Sequence, residues 1–175
     1  MIAVRELKNK DAELVVRYFH DATPDFLKGM GVDREKLPLA DEWVKIIHTD
    51  IEKPHEQKEF FYVIWMYENK PIGHSNINKI VYGQEAYMHL HLWTADRRHK
   101  GIGTSLVRLS LPYYFQNFKL NELYSEPYAL NVAPNKTLEG IGFELVKEYE
   151  TIPGLINFHQ PVKRWRMSRN GFLLI

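Results

Sequence analysis

Arg97, Arg98, His99 and Lys100 lead directly into Gly101-Ile102-Gly103, with Thr104 and Ser105 behind them. Basic side chains attract anions, and glycines let a backbone approach a ligand closely or take positive φ. If the stretch opens a helix, its first N–H groups have no internal partner and the helix dipole adds positive potential. Together these ingredients bind phosphate oxygens. Two familiar phosphate motifs fail, however. A dinucleotide fingerprint needs a third glycine where Leu106 stands, and a P-loop ends in Gly-Lys-Ser/Thr. The stretch is either a phosphate loop of another kind or a charged turn that needs flexibility. His89 and His91 share one face of an alternating segment, where they suit hydrogen-bonding or acid–base roles. A metal there would require a third ligand, and no metal is expected. KRWRMSR (163–169) has the charge of a nucleic-acid patch, but alternating arginine and apolar residues equally describe a half-buried strand.

The elements that must position these residues are legible as patterns. IAVREL (2–7) alternates like a short strand, and DAELVVRYFH places Leu14, Val15, Tyr18 and Phe19 on one helical face. Residues 23–41 read as irregular or weakly helical; then Trp43, Ile47 and Ile51 recur at helical spacing. FFYVIWMYE (60–68), a turn at NKPIG and HSNINKIVYG (74–83) predict an antiparallel hairpin, with AYMHLHLW (86–93) as a third strand beside it. Beyond the glycines, Val107, Leu111, Tyr114, Phe115 and Phe118 predict a helix, which Pro112 should kink. A strand at 122–127, a short helix at 134–140, a strand at 143–151 and a last strand at 162–168 complete the order. The strand–helix–strand unit at 86–127 implies a parallel pair with a right-handed crossover. The expected fold class is therefore α/β (α+β), with a mixed, mostly antiparallel sheet flanked by helices.

At 175 residues and 45% hydrophobic, with no linker-like or repeated segment, the chain reads as a single domain over 1–175. A net charge of +1 gives no reason to expect nucleic acid. The lack of cysteine removes disulfides and gives no sign of an oxidising compartment. No stretch approaches the roughly 20 apolar residues of a membrane span, and the charged start does not fit a signal peptide. A cytoplasmic protein without membrane contact is expected. The apolar GFLLI end (171–175) should dock on the body or on a second subunit, which leaves a homodimer possible.

Arg98-His99-Lys100-Gly101-Ile102-Gly103 resembles the R/Q-x-x-G-x-G/A motif of the GCN5-related N-acetyltransferase (GNAT) superfamily, which follows the fourth strand and opens a helix. NVAPNKTLEGIGF (131–143) resembles a second block of that family, with Asn131, Glu139, Gly142 and Phe143 at the family spacing. The predicted element order is also similar, including a central parallel strand pair that splays apart.

The resemblance implies transfer of an acetyl group from acetyl-coenzyme A to an amine, by direct attack in a ternary complex. It implies that backbone N–H groups from Lys100 to Ser105 hold the pyrophosphate, and that main-chain groups near Leu92, Trp93 and Thr94 pair with the pantetheine arm. Asn131 aligns with a residue that hydrogen-bonds the same arm. Pro127 fits a strand whose neighbour has diverged, since proline cannot donate to a ladder. Glu126, five residues before Asn131, aligns with a general base, and His91 is the alternative. Many members carry a tyrosine seven residues after the asparagine that protonates the leaving thiolate; this chain has Leu138 there, so either Tyr128 or Tyr124 substitutes or the thiolate leaves without enzymic help. Pro134 also replaces the usual small residue. The acceptor site would form from about 19–32 and 151–161, with Phe19, Asp25, Phe26 and Met30 as contacts. A peptide N-terminus, a polyamine, an amino sugar and a small amine all remain open as acceptors. A non-catalytic acyl-coenzyme A sensor or scaffold of the same fold is the alternative function.

Overall fold

The computed structural model describes residues 1–94 and 101–175. In chain order the elements are β1 (Ile2–Glu6), α1 (Ala12–His20), α2 (Pro24–Gly29), α3 (Ala40–Ile51), β2 (Phe61–Tyr67), β3 (Lys70–Val81) and β4 (Glu85–Leu92). Then follow α4 (Ile102–Asn117), β5 (Glu122–Ser125), α5 (Val132–Ile141), β6 (Glu144–Thr151), β7 (Gln160–Ser168) and α6 (Arg169–Phe172). Seven strands form one sheet in the order β1-β2-β3-β4-β5-β7-β6. Every neighbouring pair is antiparallel except β4 and β5, which run parallel.

The sheet separates two layers, and strand alternation decides which side chains enter each. On β2, Phe61, Val63 and Trp65 meet Leu106, Val107, Leu111, Tyr114 and Phe115 of α4, and Phe118 just past its end, in the main core. Ile64, pointing the other way, packs with Val15 and Val16 of α1 and Ile47 of α3. The helical spacing after the glycines therefore identified the buried face of α4 correctly. Pro112 lies inside α4 without ending it.

Besides shifts at strand ends, with β5 stopping at Ser125 and β7 starting at Gln160, three differences from the sequence reading have a clear physical reason. The hairpin turn is only Glu68-Asn69, both at positive φ (47° and 62°), which is the backbone a two-residue hairpin loop needs. Pro71 and Gly73 consequently belong to β3, not to the turn. Gly73 is required there: a Cβ would lie 2.5 Å from the carbonyl oxygen of His91. The second difference is α5, which begins at Val132, before Pro134, because proline fits the first turn of a helix where no N–H bond is lost. The third is the C-terminal segment, where α6 stacks Phe172 on Phe115 at 4.6 Å while Leu173 and Leu174 stay exposed.

Candidate functional site

The parallel pair is short by construction. β4 and β5 are paired only from Glu85–Tyr87 to Glu122–Tyr124, although β4 continues to Leu92. One further link joins them: Ser125 Oγ donates to Met88 O at 2.7 Å. Beyond it, Pro127 interrupts the donor row and the chain is drawn to β7 instead. Lys163 N donates to Pro127 O at 3.3 Å, Ala129 N donates to Pro161 O at 2.8 Å, and Tyr128 bridges Val162. Buried Asn135 locks this path, donating from Nδ2 to Tyr128 O and Asn131 O and accepting from Trp165 Nε1 at 2.8 Å. The strands splay because residues 126–131 are held elsewhere.

The splay exposes backbone on one side of β4. Trp93 N donates to Ile72 O, so His91 and Trp93 spend their main-chain groups on β3. By alternation, Met88, Leu90 and Leu92 turn theirs toward β5 and the gap. Of the three residues expected to meet an extended ligand, Leu92 faces the gap and Trp93 turns its N–H away. Thr94 buries its Oγ1 without a hydrogen-bond partner among the described residues.

At the head of the gap, Gly101 caps α4 in the left-handed region at φ +71°, which favours glycine. A Cβ added at Gly101 or Gly103 would meet nothing within 4 Å. The folded chain itself does not require small residues at either position for space. Ile102, Gly103, Thr104 and Ser105 form the first turn of α4, partly or fully exposed, with the N–H groups that a helix start leaves over. This open, donor-rich helix start fits a phosphate group. Arg98, His99 and Lys100 lie outside the described residues.

On the α1 side of the sheet, a cavity of about 220 Å³ reaches the gap. Its lining includes both faces of β4, Met88 and Leu90 as well as His89 and His91, and then Ser125, Glu126, Tyr128 and Asn131. The structure thus brings Glu126, Tyr128, His91 and Asn131 together. Phe19 and Met30 of the expected acceptor segment also line it, as do residues 153–157 between β6 and β7. Asp25 and Phe26 are not among the described lining residues, and Asp25 is exposed.

Glu126 is buried, its side chain 4% exposed. Its Oε1 accepts from Arg164 Nε at 2.5 Å and from the Tyr149 hydroxyl, and Arg164 Nη2 donates to the Tyr149 hydroxyl at 3.0 Å. Arg164 lies 5.7 and 5.5 Å from the ring centroids of Tyr87 and Tyr124. Burial opposes the Arg164 charge, but hydrogen bonding and attraction to Glu126 override it and hold the proton more firmly. Both bonds fall on Oε1, so Oε2 is the oxygen left for a ligand.

The histidines are held neutral. Burial pushes His91 down to about 3 and His89 down to about 4, the latter helped by Lys79. His89 Nε2 lies 3.0 Å from Asn78 Oδ1, an acceptor, so it carries the hydrogen. His91 stacks on His74 at 4.7 Å, and Trp93 Nε1 donates to His74 Nδ1 at 2.9 Å. His91 Nδ1 has no hydrogen-bond partner among the described residues. At neutral pH His91 can accept a proton but is a poor base. Tyr128 packs its ring edge-on against Phe158 at 5.8 Å. Tyr124 instead stacks with Tyr87 at 5.3 Å, beneath Arg164. Leu138 is fully buried in the main core.

Sequence reasoning missed Arg164, Tyr149, His74, Asn135 and Trp165. Arg164 and Tyr149 read only as strand residues, and their meeting with Glu126 depends on β7 lying between β5 and β6. Trp165 had no polar partner until the strand order brought it to Asn135. His74 carried a visible signal, its place opposite His91 in the predicted hairpin sheet. Among the described residues, no group of three His, Cys, Asp or Glu could hold a metal ion. Nor is any described helix long and apolar enough to cross a membrane.

At the level of sequence alone, no curated protein matches the chain. Solved structures do. A spermidine N-acetyltransferase from Vibrio cholerae, in complex with CoA and spermine, superposes with a TM-score of 0.78 at 17% identity, covering 98% of each chain. A ribosomal L7/L12 α-N-protein acetyltransferase in complex with coenzyme A gives 0.77 at 13% identity, over 97% of this chain and 95% of that one. An aminoglycoside acetyltransferase in complex with coenzyme A gives 0.72 at 16% identity, over 99% and 98%. These likenesses speak for the fold. The profile described as "Acetyltransferase (GNAT) domain" matches residues 2–144, most of the chain. With the splayed parallel pair and the glycine-led helix in place, the chain belongs to the GNAT acetyltransferase family.

Proposed function

We propose that the chain moves the acetyl group of acetyl-coenzyme A to an amine by direct attack in a ternary complex. The observation that carries this reading is the meeting of two spaces: a gap where β4 runs on past its pairing with β5, and a cavity that holds a buried carboxylate at the same point. The similar structures in complex with coenzyme A, one of them also with spermine, support the choice of donor and acceptor class. Acetyl-coenzyme A supplies the thioester-activated acetyl group.

In this reading the first N–H groups of α4, from Ile102 to Ser105, hold phosphate oxygens, with Lys100 and Gly101 leading in. Leu90 offers main-chain groups to an extended arm that runs past Leu92, and Asn131 faces it across the gap. Glu126 takes the proton of the attacking amine on Oε2 while Arg164 and Tyr149 fix its orientation through Oε1. A β4 N–H facing the gap stabilises the oxyanion, and alignment of the two reactants supplies much of the rest. Tyr128 protonates the leaving thiolate, since Leu138 is committed to the core.

Glu126→Gln keeps size and removes the base. Turnover should fall by roughly 10²–10⁴-fold while acetyl-coenzyme A still raises the melting temperature. Near-normal turnover would pass the role to His91 or to water. A second reading, a binding module without turnover, draws on the paired state of Glu126 and the core position of Leu138. It requires that acetyl-coenzyme A bind and that no amine be acetylated.

A further inference from the structure

We propose that the acceptor is a small primary amine with one cationic centre on an aromatic body, bound in the cavity beside Glu126. The inference rests on the acetyl-transfer reading and deepens it. The walls of the cavity are largely apolar, with Val15 and Phe19 from α1, Trp43 and Ile46 from α3, and Val32 and Ile156 from the flanking loops, and their polar members such as Asn76, Asn78 and Asn157 are uncharged. Aromatic edges converge on its floor, with Phe19 5.0 Å from His91 and 5.1 Å from Trp43. Such a surface gains free energy by covering apolar area, and ring faces accept a cation or another ring.

Charge narrows the class further. Glu126 is the single carboxylate among the described lining residues, and Arg164 already balances it at 2.5 Å. His74, His89 and His91 add no compensating negative charge; as neutral rings they offer single hydrogen bonds. Asp25, the acidic residue of the neighbouring segment, is exposed and does not line the cavity. A linear polyamine or an amino sugar would bring several ammonium groups into this space, each losing water without an anion to meet it. A monoamine brings one, next to Glu126. His91 Nδ1, buried and without a hydrogen-bond partner among the described residues, leaves one polar point on the floor for a substituent of the ligand.

The test is calorimetric binding to the full chain, with and without coenzyme A, using phenethylamine, tryptamine, spermidine and a short peptide with an apolar N-terminal residue. One of the two aromatic amines should bind at least about tenfold more tightly than spermidine and than the peptide, the lower end of what one pocket contact discriminates. Ile46 stands at the cavity rim and is 46% exposed, so Ile46→Glu adds a carboxylate without disturbing the core. That variant should move the preference toward spermidine by about tenfold or more. Equal or tighter binding of spermidine or of the peptide by the wild type would overturn the proposal, as would absence of binding by both aromatic amines. An Ile46→Glu preference identical to wild type would place the amine elsewhere and also overturn it. Binding is read without turnover, so a failure of acetyl transfer, scored separately by coenzyme A release, remains distinguishable.

Discussion

A carboxylate that takes a proton from an ammonium must be held near the cleft and still keep one oxygen open. Glu126 meets both conditions because Arg164 and Tyr149 share Oε1. Tyr128 is a different kind of residue: its ring packs on Phe158 and lines the cavity, and among the described residues its hydroxyl has no hydrogen-bond partner. Tyr128→Phe therefore keeps the packing and removes only the acid. Turnover should fall at least about tenfold with acetyl-coenzyme A affinity little changed. Equal rates for variant and wild type would mean that the thiolate leaves unassisted. Restoring a tyrosine at Leu138 is a poor rescue, since that side chain is fully buried and the larger ring would overpack the core.

The start of α4 does its work as an element. Its glycines were visible in the sequence, and so was the helix behind them, because both follow from local pattern. The backbone that faces the gap was only half visible: alternation along β4 could be read, but which parity turns toward β5 needed the bond from Trp93 to Ile72. The Glu126 network was not visible at all, because it joins β6 and β7 across a strand order that local pattern does not encode. The hairpin turn was misplaced for a related reason: Pro71 and Gly73 look like turn residues, and only the His91 carbonyl beside Gly73 explains a glycine within a strand. At α4, a Cβ on Gly103 meets open space, so Gly103→Glu should fold normally, and its charge near a helix N-terminus is favourable. The same charge should abolish the rise in melting temperature that acetyl-coenzyme A gives the wild type. An undiminished rise would remove the phosphate role from this helix.

Across the whole molecule, buried His74 and half-buried His89 and His91 tie stability to pH. Burial holds His74 well below 6.5, His89 at about 4 and His91 at about 3. Their unfolded forms bind protons at the ordinary value near 6.5. Below that value the unfolded chain therefore holds more protons than the folded one, and stability declines as the solution is acidified. The melting temperature should be level above pH 7 and fall steadily from about 6.5 toward 4. Asp11 acts in a more acid window: burial pushes it up, but Arg5 and the Lys8 N–H outweigh this and hold it below 3.8. Its contribution is lost only as the pH drops through that lower range. His91→Gln should shallow the upper slope, and a wild-type melting temperature unchanged from pH 7 to 5 would contradict the neutral state of these histidines.

The two spaces that meet beside Glu126 make one chemical claim, that a thioester and an amine react there. Incubating the chain with acetyl-coenzyme A and a panel of amines, and quantifying free thiol and acetylated amine together, tests it most directly. The account predicts release of coenzyme A that depends on an amine, with one N-acetylated product for each thiol. A chain whose melting temperature acetyl-coenzyme A raises, yet which releases no thiol with any amine, would contradict it and stand as a binding module.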